Sequence, residues 1–120
     1  MDHHDIVKLF HEYLAAFNSH SLLKLREFYD PSCKIIVDGE IFCPDRSHML
    51  ATYADVWAKM AKPVEALEIR PIKKGLIVLL RDPNEGKDTE VEYFYNSKGL
   101  QIAHVIKSGS SRKSTETNHA

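Results

Sequence analysis

A chain of 120 residues, 43% hydrophobic and 28% charged, is long enough to bury one core and too short to divide readily into two domains. Its 16 basic and 17 acidic residues leave a formal net charge of -1 and are interleaved, so the basic footprint of a nucleic-acid-binding protein is missing. The opening MDHHDIVKLF has neither the basic region nor the apolar run of a secretory signal. No apolar stretch approaches the roughly 20 residues that cross a bilayer, so the expectation is a cytoplasmic protein without nucleic-acid or membrane partners.

In chain order, Ile6, Leu9, Phe10, Tyr13, Leu14 and Phe17 recur at helical spacing and predict an amphipathic helix over residues 4–17. Asn18-Ser19-His20-Ser21 ends it, with Ser21 as the N-cap of a second helix running through Phe28 and Pro31 forbidding its continuation. Residues 34–42 read as two short strands around an Asp38-Gly39 turn. Ser47 then caps a third helix whose stripe is Leu50, Tyr53, Trp57 and Met60, pointing the single Trp inward. After Pro63 the period becomes strand-like, over residues 64–72, 76–81, 89–95 and 100–107, and the short connections between these segments predict antiparallel neighbours.

The run Leu76-Ile77-Val78-Leu79-Leu80 is apolar on both faces, so this strand is expected to be covered by helices on one side and by a second subunit on the other: a homodimer through the β-sheet. The segment SGSSRKSTETNHA is almost devoid of apolar residues, so residues 109–120 are expected to form a disordered tail after a single domain over 1–108. Cys33 and Cys43 form no metal motif and read as free thiols. His4 and His11 stand seven apart rather than at the i, i+4 spacing of a shared metal, and GxSxG, GxGxxG and GxxxxGK[ST] are all absent. No metal and no cofactor is therefore expected. The fold class is α+β, with three N-terminal helices packed on a curved, mostly antiparallel sheet.

This order of elements, with HEYLAAFNSHSLLKLREFYD as the helix hairpin and YNSKGLQIAHVIK leading into and forming the last strand, resembles the NTF2-like superfamily and, within it, the SnoaL-like and ketosteroid-isomerase-like proteins. The resemblance covers roughly residues 4–107. It implies a cone with a conical apolar pocket, a homodimer packed through its sheets, and cofactor-independent chemistry on a hydrophobic polycyclic, terpenoid or polyketide-like small molecule of the kind met in secondary metabolism. The reactions implied are acid/base isomerisation, cyclisation, dehydration or epoxide opening. Because the same fold also hosts proteins without catalysis, a ligand-binding or dimerisation module stands as the alternative.

Each candidate residue has a functional and a plain reading. Tyr13 lies on the apolar face of the first helix, similar in position to an oxyanion-donating tyrosine of ketosteroid isomerases, or is a core tyrosine. Asp38 falls near the general base of those enzymes, although Asp38-Gly39 is itself a hairpin signal. Glu90, which shares a strand face with Glu92, is among the acids nearest to that family's third position and fits a solvated face equally. His104 interrupts an apolar strand face, as a polar or histidine side chain does in several SnoaL-like proteins, and suits proton transfer near neutral pH; it also fits a structural histidine. Tyr53, Trp57 and Tyr93 can wall a pocket for a flat substrate or simply fill core, and Arg70 can hold a carbonyl or sit at the surface.

Overall fold

The structure is a computed structural model that describes residues 2–110 and 112–113. Helix α1 (His3–Asn18) begins where the Asp2 carboxylate accepts the Asp5 N–H at 3.0 Å, and it buries Ile6, Phe10, Tyr13 and Ala16 as one stripe. His20 adopts a left-handed conformation (φ 57) that turns the chain, and Ser21 caps α2 (Leu22–Arg26) by accepting the Lys24 N–H. This helix is shorter than the sequence predicts, because strand β1 (Tyr29–Val37) starts at Tyr29 rather than at Lys34. Tyr29 is already paired with Gln101 of the last long strand, and the irregular register between Tyr29 and Lys34 accommodates Pro31.

The expected hairpin follows, with Asp38 (φ 52) and Gly39 (φ 81) both at positive φ before β2 (Glu40–Cys43), as a primed two-residue turn requires. Helix α3 (Arg46–Trp57) is capped by Asp45, whose carboxylate accepts the His48 N–H at 3.0 Å, rather than by Ser47. Strands β3 (Glu65–Ile72), β4 (Gly75–Asp82), β5 (Lys87–Tyr95) and β6 (Gln101–Ile106) form the predicted antiparallel meander. The sheet order is β2-β1-β6-β5-β4-β3, and β1 lies parallel to β6. The chain is thus an α+β cone of helices on a mostly antiparallel sheet. Beyond β6, Ser108–Ser110 make one 3-10 turn and β7 (Arg112–Lys113) pairs with Asp88 and Lys87. The remainder of the segment expected to be a tail lies outside the described residues.

Register decides which side chains meet. Ile35, His104, Tyr93 and Leu76 stand opposite one another across β1, β6, β5 and β4 on the face beneath the helices. On the outer face, Ile77 and Leu79 are half-buried, Arg70 pairs with Glu68 (3.4 Å) and Glu90 (3.3 Å), and Arg81 grips the fully buried Asp88 carboxylate at 2.9 and 3.0 Å. Both cysteines are buried free thiols, and burial pushes Cys33 up to about 12.

Candidate functional site

The space between the helices and the inner face of the sheet is not filled. A cavity of about 470 Å³ opens there, within the size range of small-molecule sites. Leu14 and Phe17 of α1, Ile35 and Val37 of β1, and Val91 and Ile106 of the meander make its wall apolar. Its buried end carries Tyr13, Tyr93 and His104, with Tyr53 reaching in from α3, and its open rim carries Asp82, Glu85 and Lys87.

His104 is 3% exposed. Its ring lies against Tyr93 (4.6 Å between centroids), Tyr29 (5.6 Å) and Tyr13 (6.1 Å), each edge-to-face. Its Nε2 stands 2.6 Å from Oε1 of the fully buried Gln101, whose amide Nε2 donates to the Tyr95 hydroxyl at 3.2 Å. Burial away from water penalises the imidazolium and lowers the pKa of His104 to about 3, so the ring is neutral at physiological pH.

The phenols form a second network. The Tyr13 and Tyr29 hydroxyls are 3.0 Å apart, and the Tyr53 phenol stands beside them at the cavity. Burial holds Tyr13, Tyr29, Tyr53 and Tyr93 well above the usual phenol range, and all four stay protonated donors at any ordinary pH. An apolar chamber with a neutral imidazole beside phenolic O–H groups can accept a proton at one atom and donate a hydrogen bond at another. Among the described residues no cluster of His, Cys, Asp or Glu could hold a metal ion.

Of the residues singled out in the sequence, His104, Tyr13, Tyr53 and Tyr93 come together at the cavity. Trp57 does not line it: the indole lies behind the wall, stacked on His20 (5.0 Å, 8° between planes) and against Phe17, with its Nε1 buried and unpartnered. Asp38 is corrected outright. It sits in the exposed β1–β2 turn, and its carboxylate accepts the Ser108 N–H at 2.9 Å, a bond that holds its pKa below the usual carboxylate range and suits it poorly to act as a base. Glu90 and Arg70 are also displaced from the site, because strand alternation puts both on the outer face, where they pair. The sequence pattern also marks Tyr95, on the same strand as Tyr93, as a pocket candidate; it stands behind Gln101 and does not line the cavity. Sequence reasoning missed Tyr29 and Gln101 as members of the site, because they become neighbours only through the long-range parallel pairing of β1 with β6.

No protein-family model matches the chain, and no curated protein does. Solved structures do match in shape. A SnoaL-like protein of unknown function from Burkholderia thailandensis superposes with a TM-score of 0.76 at 8% identity, over 93% of this chain and 96% of that one. The epoxide hydrolase/cyclase-like enzyme SalBIII, which has a role in pyran ring formation in the polyether salinomycin, gives 0.75 at 12% identity, over 93% and 98%. A de novo designed protein with a curved β-sheet gives 0.72 at 16% identity, over 89% and 87%. At such identities the likeness is one of fold alone: the chain is an α+β cone of the shape shared by NTF2-like and SnoaL-like structures.

Proposed function

We propose that this protein is a small cofactor-independent enzyme that encloses a hydrophobic, polycyclic, terpenoid or polyketide-like molecule and moves a proton on it, as in isomerisation, cyclisation, dehydration or epoxide opening. The observation that carries this reading is the meeting of His104 with the Tyr13, Tyr53 and Tyr93 phenols at the buried end of an apolar cavity of about 470 Å³. In a proton abstraction next to a carbonyl, the imidazole takes the proton and a phenol donates to the oxygen on which negative charge grows. The charge pair so formed is stronger for the exclusion of water. Raised phenol pKa values favour donation over ionisation. Among the matching structures, an epoxide hydrolase/cyclase-like enzyme shares the fold, which is consistent with catalysis and does not specify it. The half-buried outer face of the sheet is, in this proposal, covered by a second copy of the chain.

The test uses nitrobenzisoxazole, a flat aromatic probe: removal of its ring C–H proton by a base breaks the N–O bond and releases a coloured cyano-nitrophenolate. Turnover by the wild type that falls about 100-fold or more in His104→Ala is the expected result. An unchanged rate in that variant removes His104 from the chemistry.

A second reading is favoured by one observation. With Asp38 and Glu90 outside the cavity, the base at its buried end is a histidine that burial makes weak, with a pKa of about 3. A non-catalytic ligand-binding module needs no stronger one. Saturable binding of the same probe without release of the phenolate would decide for it.

A further inference from the structure

A buried imidazole has two nitrogens with opposite roles when it is neutral, and whatever holds one sets the function of the other. In this protein the ring of His104 is held at Nε2 by Gln101, 2.6 Å away, and Gln101 is held by Tyr95. Gln101 is completely buried at the start of β6, where its main-chain N–H also bonds the Phe28 carbonyl oxygen at 2.9 Å. Two amide orientations would each satisfy Tyr95, whose hydroxyl can accept or donate. The distance to His104 separates them. At 2.6 Å the contact is just under the usual N–H···O range and further still from N–H···N, in which both heavy atoms are nitrogens of larger radius. The amide oxygen therefore faces the ring, and the proton sits on Nε2.

The consequence falls on Nδ1. It makes no hydrogen bond to any described residue, yet Trp57 Nε1 is the sole buried side-chain polar atom left unpartnered among them. Nδ1 is therefore not sealed in protein, and since His104 lines the cavity it opens there. We propose that Gln101 is a positioning residue that, braced by Tyr95, locks His104 as the Nε2–H tautomer and presents Nδ1 to the cavity as a proton acceptor beside the phenolic donors. This rests on the reading of His104 as the group that meets substrate, and it narrows the substrate class. The ligand end that fits carries both a donor, an O–H or a carbonyl-activated C–H for Nδ1, and an oxygen acceptor for the phenols, as a hydroxy-ketone or an enolisable ketone does. A ligand end offering acceptors alone leaves Nδ1 unpaired and is disfavoured.

The groups facing the ring are Tyr13 from α1, Tyr29 from β1 and Tyr93 from β5, with Tyr95 behind Gln101; no carboxylate is in contact with it among the described residues. Gln101→Glu would therefore introduce the first negative charge at Nε2. The experiment is long-range proton–nitrogen NMR of the full chain with labelled histidine, the His104 signals being assigned by their loss in His104→Gln. The wild type is expected to show a protonated Nε2 and an unprotonated Nδ1. Gln101→Leu is expected to lose that single tautomer, and Gln101→Glu to keep it while raising the protonation midpoint of His104 by about one pH unit or more. A residue that merely fills core would shift thermal stability and move neither the tautomer nor the midpoint. A protonated Nδ1 in the wild type overturns the proposal, and so does an unchanged tautomer in Gln101→Leu together with an unmoved midpoint in Gln101→Glu. The catalytic reading fails separately: a wild-type rate on nitrobenzisoxazole in His104→Ala leaves the NMR result to decide the role of Gln101.

Discussion

His104 enters the folded protein uncharged, while the same side chain in the unfolded chain titrates near its ordinary value of 6.5. Between that pH and about 3, the unfolded chain therefore holds one proton more than the folded one. The folded pKa is the lowered one, so stability rises with pH across this window: it is fully present above the unfolded value and is lost as the solution is acidified. The slope is about 1.4 kcal/mol per pH unit for one group. Asp30, Asp38 and Asp45, whose hydrogen bonds lower their pKa values, begin to lose their contributions only below about pH 5. The interval from about pH 6 to pH 5 thus isolates the histidine. Urea unfolding at stepped pH should show the wild type losing about 1.4 kcal/mol per unit there and His104→Gln losing far less. A wild-type profile level across that interval would mean that the ring is not buried neutral, and the account of the site would fail with it.

At the scale of elements, the meeting of β4 and β5 depends on a missing side chain. Gly75 opens β4 opposite Phe94, and a Cβ built there would clash with the Tyr93 carbonyl oxygen, which is main chain and cannot swing away. Gly75→Ala is expected to push the strands apart and destabilise the fold by about 1–3 kcal/mol, moving Tyr93 from the His104 ring. Gly109→Ala, with nothing within 4 Å, should be neutral in the same urea titration. Equal effects of the two substitutions would refute the close approach. Elements of this kind were legible in the sequence where one local signal dominated: helical stripes, the Asp38-Gly39 turn and the short loops of the meander. Elements set by distant partners were not. The start of β1 at Tyr29 follows from pairing with Gln101, which no local pattern encodes, and so the Gln101–His104 contact was invisible while His104 itself stood out against its apolar neighbours. Asp38 misled because proximity along the chain placed it near a base position, whereas the turn it forms carries it to the surface.

For the whole molecule, the two faces of the sheet divide the work. The inner face builds the cavity, and the outer face carries Ile77, Leu79, Phe94 and Val105, half-buried, bordered by the Glu68–Arg70–Glu90 ion pairs. An antiparallel sheet with one face in water ordinarily alternates apolar and polar residues, and β4 does not. The proposed second copy would cover this face and take its apolar centre out of water, with a stable contact expected to bury about 800 Å² on each partner. Because the cavity lies on the opposite face, association and chemistry should be separable. Sedimentation velocity of the full chain should give a dimer, and Leu79→Arg should give a monomer that still turns over nitrobenzisoxazole. A monomeric wild type at concentrations on the order of those where interfaces of this size associate would remove the dimer. A monomeric Leu79→Arg that folds but has lost turnover would instead mean that the second copy supports the cavity through the sheet.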